Sequence, residues 1–260
     1  MEGRLSFLDR DNKRGNVDTS DDSYGTLTIY FSTLPANVKV GCILEFEVKV
    51  SATGNTYAKF ISVVVPSVDI TDDMLKAAIR ESNRRDPYIN HHFELKYMTP
   101  DIRDQIGFLG EFACKELLGL DWRAGIRDNY DVPDDGDILN LNGIVDIKTE
   151  TVPSNILFNL IRGNISDNQQ YGRRLINQDQ AALLEHYDYV VWGAFQRPGD
   201  YLENLRWYPL GYLETSYILE HYEITKDTPF GTKYPEPCIN VRHSELKPIE
   251  ELKRVLNLSN

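Results

Sequence analysis

The feature that most restricts this chain is a hairpin signal with ionisable residues at its open end. Residues 137–148 read Asp137-Ile138-Leu139-Asn140-Leu141-Asn142-Gly143-Ile144-Val145-Asp146-Ile147-Lys148. Asn-Gly between two apolar runs favours a two-residue turn with positive φ at both positions. Taken literally, that turn pairs Leu141 with Ile144, Asn140 with Val145, Leu139 with Asp146, Ile138 with Ile147 and Asp137 with Lys148. Strand side chains alternate, so Asp137, Asp146 and Lys148 share a face with Leu139, Leu141 and Ile144. The other face holds Ile138, Val145 and Ile147. Two largely apolar faces suit a sheet covered by helices on each side.

Carboxylates and lysines are seldom buried without partners, so this cluster is expected to be paired, to line a cleft or to hold a metal ion. Two neighbouring Asp residues suit a hard cation such as Mg2+. Asp/Glu-x-Lys by itself says little, because it begins at Asp11, Glu47, Glu94, Asp146, Glu245 and Glu251. Only the Asp146 copy lies in a β-branched run after an Asn-Gly hairpin whose first strand opens with an acid. The plainer reading is an Asp137 to Lys148 cross-strand ion pair, worth about 1 kcal/mol or less if exposed.

A helix is expected ahead of the hairpin. Thr99 suits its cap and Pro100 its first turn, Ile102, Ile106, Leu109, Phe112, Ala113, Leu117 and Leu118 form its apolar stripe, and Gly119 ends it. Gly107 and Gly110 interrupt the stripe at a cost of about 1 kcal/mol each relative to alanine, which implies close packing or a nearby ligand. Glu111 follows; alone it reads as a surface charge. Residues 66–98 read as a connector with one helix, capped by Thr71 and ending near Arg80, Arg84 and Arg85. Downstream, Asn177-Gln178-Asp179-Gln180 opens a helix over residues 181–186, followed by strands over 189–195 and 206–213 and by a helix from Pro248 to Leu256. Arg162, Arg173 and Arg174 are candidate phosphate contacts, with surface solvation the competing reading.

The first 65 residues differ in character. Short β-rich runs at 4–8, 26–31, 43–50 and 57–65 are separated by turn clusters, which suggests a small barrel. They carry 7 basic and 8 acidic residues, so most of the net charge of −12 lies downstream. That acidity argues against a general phosphate-coating protein, though not against a local basic groove. Cys42, Cys114 and Cys238 are widely spaced without a CxxC pair, and His91, His92, His186, His221 and His243 lack helical metal-binding spacing. Neither a disulfide framework nor a zinc site is suggested. No run approaches the ~20 apolar residues that span a bilayer, and a cytoplasmic location is expected.

Two resemblances rest on these residues. Gly3-Arg4-Leu5-Ser6-Phe7-Leu8, Ile29-Tyr30-Phe31-Ser32, residues 40–48 and Ala58-Lys59-Phe60-Ile61 resemble a cold-shock domain, an OB-type barrel. The family's aromatic strand is replaced by Lys13-Arg14-Gly15-Asn16-Val17. The resemblance implies base stacking on exposed aromatics, for which Phe7, Tyr30 and Phe31 are the candidates. Residues 99–215, with Glu111 on a helix, Asp137, a hairpin and Asp146-Ile147-Lys148, resemble the PD-(D/E)XK nuclease superfamily. Pro133-Asp134 mimics its opening dipeptide but lacks the hairpin register of Asp137.

That likeness implies an α/β fold, a restriction-endonuclease-like mixed sheet flanked by helices, after the OB-like barrel. The domains would be 1–65, the connector 66–98 and the nuclease domain 99–260. Asp137, Asp146, the Ile147 carbonyl and Glu111 would hold Mg2+ or Mn2+, Lys148 would orient the attacking water, and Gln180, with Gln178 as substitute, would be a further polar contributor. The implied activity is phosphodiester hydrolysis, of DNA ahead of RNA and as an endonuclease ahead of an exonuclease, in a restriction or defence role. A homodimer would be natural for double-strand cutting. The rival from another class is a noncatalytic nucleic-acid or protein-binding module on the same scaffold.

Overall fold

The computed structural model describes residues 1–19, 23–34, 38–40, 42–85, 99–126, 136–197, 202 and 205–258. His91, His92, Pro133 and Asp134 lie outside them. The chain divides into two compact units, Met1–Val65 with Phe158–Ser166, and Pro66–Leu157 with Asp167–Asn260.

In the first unit β1 (Glu2–Asp9), β2 (Arg14–Thr19), β3 (Thr26–Tyr30), β4 (Ile43–Val50) and β5 (Thr56–Val63) close a barrel in the order β1-β2-β3-β5-β4. β3 and β5 are parallel and the other neighbours antiparallel. Alternation builds it: Leu27 and Ile29 point inward from β3, and Leu44 and Phe46 from β4. With Leu5, Val17 and Ala58 they form one core. Four strands match expected runs. β2 does not, because its inward positions are Val17 and Gly15, and a Cβ at Gly15 would meet Leu5 Cδ1 at 2.9 Å.

In the second unit β6 (Val68–Asp69) leads into α1 (Asp72–Arg85) and α2 (Pro100–Leu118). Thr71 Oγ1 accepts from Met74 N at 3.2 Å at the first of these helices. Thr99 caps the second through Ile102 N at 3.4 Å, and Gly119 ends it at φ 80°. Then come β7 (Ile138–Asn140), β8 (Gly143–Val152), α3 (Ser154–Ile161, of which Phe158–Ile161 belong to the first unit), β9 (Arg173–Asn177), α4 (Gln178–Ala181), β10 (Tyr189–Gln196), β11 (Arg206–Glu214), α5 (Thr215–His221), β12 (Thr225–Asp227), β13 (Lys233–Arg242) and α6 (Ile249–Val255). A mixed sheet runs β6-β11-β10-β8-β7, and a second runs β12-β13-β9. β8 and β10 are parallel, joined by a crossover; β7 and β11 are antiparallel to their neighbours.

Residues 66–85 are therefore no separate connector. β6 adds to the sheet edge through β11, and Met74, Ala77 and Ala78 of α1 share a core with α2. That core covers one face of the large sheet, meeting Ile138, Val145, Ile147 and Val191. The opposite face is not covered by helices alone. Val190 and Trp192 there pack against Ile176 of β9 and Ile239 and Val241 of β13, with Ala181 and Ile218 from short helices. The helix expected over residues 181–186 is instead α4 followed by a 3-10 turn at Leu184–His186. Cys42, Cys114 and Cys238 are free thiols, and among the described residues no helix is long and apolar enough to cross a membrane.

Candidate functional site

The hairpin forms one residue earlier than Asn-Gly chemistry predicts. Its ladder is Ile138↔Val145, Leu139↔Ile144 and Asn140↔Gly143, leaving Leu141-Asn142 as the turn. One local and one tertiary effect account for the shift. Asn140 Oδ1 accepts from Asn142 N at 2.9 Å, a side-chain-closed turn. Gly143, at φ 147°, begins the strand, and a Cβ there would meet Tyr189 Cδ2 at 3.1 Å. Both arms slip by one residue, so every partner moves by two and the membership of each face is unchanged.

Asp146 and Lys148 accordingly share one side of β8, as the alternation requires, while Asp137 lies just ahead of β7. The slip changes who meets whom. Asp137 lies one step beyond the Ile138↔Val145 pair, beside Asp146 rather than opposite Lys148. The Lys148 ammonium pairs with Asp146 Oδ1 at 2.8 Å, so the plain Asp137 to Lys148 cross-strand pair is not what forms. Asp137 instead accepts the Ile147 amide on Oδ2 at 2.6 Å. Its amide donates to the Val145 carbonyl at 2.9 Å. The shared face is open at the turn end, where Leu139 and Leu141 are exposed.

Electrostatics draw Glu111 into the group. Burial raises the Asp137 carboxyl well above its ordinary value, and the charges of Glu111 and then Asp146 raise it further. The Ile147 amide and Lys148 act the other way without cancelling them. Cys114, buried on α2, reports the same field: burial pushes its thiol up, and the charges of Asp137 and Glu111 add to that while Lys115 opposes. Asp137 thus sits where an α2 carboxylate and a β8 carboxylate both act on it.

The donor chemistry suits a hard cation. Asp146 Oδ2 is buried with no hydrogen-bond partner, and the neighbouring carboxylates repel one another. Among the described residues no three His, Cys, Asp or Glu side chains form a ready cage. Mg2+ needs none, since it is commonly held by one or two carboxylates and keeps several waters.

Other sequence candidates divide sharply. Phe7 and Tyr30 are about half exposed on the barrel, and Tyr30 meets Tyr57 edge-on at 5.8 Å between ring centroids. Phe31 is 4% exposed and packs in the barrel core against Phe60, so it is not a stacking surface. Arg174 is wholly buried, ion-paired with Glu150 and donating to the Tyr171 carbonyl, so it is no phosphate contact. Burial pulls its guanidinium down to about 9. Arg173 is half-buried and donates to the carbonyls of Asp167 and Asn240 at 2.8 and 3.2 Å, a structural use. Arg162 is exposed. Gln178 and Gln180 are exposed on α4, where the Gln180 carbonyl accepts from Leu183 N at 3.0 Å.

Glu150 was legible but overlooked: it is the next same-face residue after Lys148 on β8. Its partner Arg174 was hidden, because an arginine in a strand reads as a solvent position. No protein-family model, curated protein or solved structure matches the chain.

Proposed function

We propose that the second unit is a metal-dependent nuclease of the PD-(D/E)XK type that hydrolyses phosphodiester bonds, DNA ahead of RNA and internally ahead of from an end. The observation that carries this reading is Asp137 bonded to the Ile147 amide beside the Lys148–Asp146 pair, with a buried unpartnered oxygen on Asp146. The sequential order of an acidic helix, a carboxylate-bearing hairpin, a crossover and a parallel strand supports it. Asp137, Asp146, the Ile147 carbonyl and Glu111 are the residues that would hold Mg2+ or Mn2+. When bound, such an ion acidifies water and polarises a phosphate.

The chain's own groups do the remaining work. Lys148, held at 2.8 Å by Asp146, is placed to orient a water and to favour negative charge developing on the phosphate. The Ile147 amide fixes the Asp137 carboxylate, and the exposed turn end of the face leaves room for a strand to approach. The barrel is proposed to be OB-type and to engage single-stranded segments through Phe7 and Tyr30. Its order β1-β2-β3-β5-β4 with parallel β3 and β5 supports that assignment. A restriction or defence role, acting as a homodimer on double strands, belongs to the same proposal.

The test is incubation of the purified protein with single- and double-stranded DNA and RNA plus Mg2+ or Mn2+, beside Asp146→Ala and Lys148→Ala. Equal cleavage by all three proteins would mean a contaminant. The second reading, a noncatalytic binding module, is favoured by the net charge of −12 and by Lys13-Arg14-Gly15-Asn16-Val17 in place of the aromatic strand. Calorimetry showing no divalent binding dependent on Asp137 and Asp146 would select it.

A further inference from the structure

Thr149 follows Lys148 on β8 and points to the α2 side of the sheet, and Gly110 precedes Glu111 on α2. At this point helix and strand touch with no space for another atom. A Cβ built on Gly110 would collide with Thr149 Oγ1 and lie 2.6 Å from its Cβ and 2.9 Å from its Cγ2. Gly107, one turn earlier on the same helix, has nothing within 4 Å of such an atom. Helical propensity alone does not explain a glycine at position 110, since alanine there would gain about 1 kcal/mol if space allowed.

The Thr149 side chain is itself held. Its Oγ1 accepts from Trp207 Nε1 at 3.3 Å, and Trp207 is wholly buried. Trp207 lies in turn against Gly193 of β10, where a Cβ would enter the indole ring. A chain of contacts therefore runs Gly193, Trp207, Thr149, Gly110, from the middle of the sheet to the helix residue beside Glu111. The charge of Glu111 acts on Asp137, so small displacements of α2 at this contact alter the carboxylate group.

Resting on the metal-site reading above, we infer that Gly110, Thr149 and Trp207 are positioning residues: their contact sets the height of α2 on β8 and so places Glu111 relative to Asp137, which is held on the Ile147 amide of that strand. None of the three touches the substrate. Replacing Gly110 pushes the helix off the strand and withdraws Glu111, leaving Lys148 and its Asp146 partner in place. The consequence is a loss of metal affinity and turnover with nucleic-acid affinity retained.

The experiment compares wild type, Gly107→Ala, Gly110→Ala, Glu111→Gln and the Gly110→Ala/Glu111→Gln double variant. Each is measured for Mg2+ affinity by calorimetry, for kcat and KM on DNA, and for a cooperative melt. Gly107→Ala is expected to match wild type. Gly110→Ala should lose about tenfold or more in Mg2+ affinity and kcat with KM within about twofold. The decisive result is non-additivity, since residues acting through one group do not add. In the Glu111→Gln background the Gly110→Ala change should have no further effect.

A folded Gly110→Ala with wild-type metal affinity and kcat overturns the inference, as does a full additional loss in the Glu111→Gln background. If Gly110→Ala does not fold, Thr149→Val takes its place, keeping the shape and removing the acceptor that Trp207 uses. An about threefold to tenfold loss then supports positioning, and unchanged values overturn it. Wild type that binds no divalent ion overturns the metal-site reading, and this role with it, which separates the two failures.

Discussion

The amide of Ile147 donates to Oδ2 of Asp137 at 2.6 Å. This bond ties a carboxyl group at the mouth of β7 to the strand that carries Asp146 and Lys148, in a place where burial and then the charges of Glu111 and Asp146 oppose ionisation. A carboxyl raised in the folded state holds its proton more tightly there than in the unfolded chain. Its stabilising contribution is full below the unfolded value near 3.8 and is lost as pH rises through the raised folded value. At neutral pH, above the unfolded value, the Asp137 carboxyl of the metal-free protein therefore opposes folding in a way that Asn would not.

Asp137→Asn, in the presence of a chelator, is accordingly expected to melt above wild type at pH 7 by about 1–2 kcal/mol, a few degrees for a unit of this size. The gap should close towards pH 4. Added Mg2+ should raise the wild-type melting temperature and leave the variant almost unmoved, because a ligand stabilises only the state that binds it. Scanning calorimetry with and without Mg2+ checks both. A metal-free variant that melts below wild type at neutral pH would count against the electrostatic picture.

Lys148→Ala removes the ammonium at 2.8 Å from Asp146 and leaves a buried carboxylate unpaired. A cationic group that orients a nucleophile and favours developing charge commonly supplies a factor of about a hundred or more. Turnover should fall by at least about that factor, with Mg2+ affinity unchanged or tighter because a competing cation has gone. Asp146→Ala should lose turnover and metal affinity together. Parallel kinetics and calorimetry separate the two roles.

Glu150 and Arg174 make a different use of charge. Arg174 is wholly buried, while the Glu150 side chain keeps about a third of its surface exposed. Removing the acid strands a guanidinium away from water, whereas removing the base leaves an acid that water can reach. Breaking a buried pair from the acidic side costs about 3–5 kcal/mol. Glu150→Ala is thus expected to destabilise the second unit by about that much, and Arg174→Met by clearly less. Denaturant unfolding monitored by tryptophan fluorescence measures both, and equal losses would refute the asymmetry.

How much of this was legible in the sequence depends on which physical rule held. The period-2 rule held along β8: it placed Asp146 and Lys148 on one side even though the turn slipped by a residue. The slip itself was invisible because Asn-Gly strongly signals a turn, the competing Asn140 closure is a weaker local signal, and the approach of Tyr189 to Gly143 comes from a strand distant in sequence. Capping chemistry located α2, and its two glycines hinted at close packing without telling which of them makes it. Only tertiary packing distinguishes Gly110, against Thr149, from the free-standing Gly107. The paired arginines misled for a simple reason: Arg173 and Arg174 alternate between half-buried and buried positions, and composition cannot say that one points into the core.

The same alternation separates Tyr30 from Phe31 on the barrel. Tyr30 ends β3 on the outer surface, 51% exposed and edge-on to Tyr57, with Arg14 and Lys59 at its flanking ladder positions. Phe31 turns inward and fills the core beside Phe60. Tyr30→Ala should therefore leave barrel stability within about 0.5 kcal/mol, yet weaken binding of a single-stranded oligonucleotide by about 1–3 kcal/mol, the usual worth of one stacked base. Phe31→Ala should do the reverse in origin, costing about 3–5 kcal/mol of stability by opening a cavity and weakening binding only as the barrel unfolds. Fluorescence anisotropy with a labelled oligonucleotide, run beside thermal melts, distinguishes them. If Tyr30→Ala binds as tightly as wild type, the outer aromatic face is not where the strand lies, because no other consequence of that substitution would conceal a lost stacking contact.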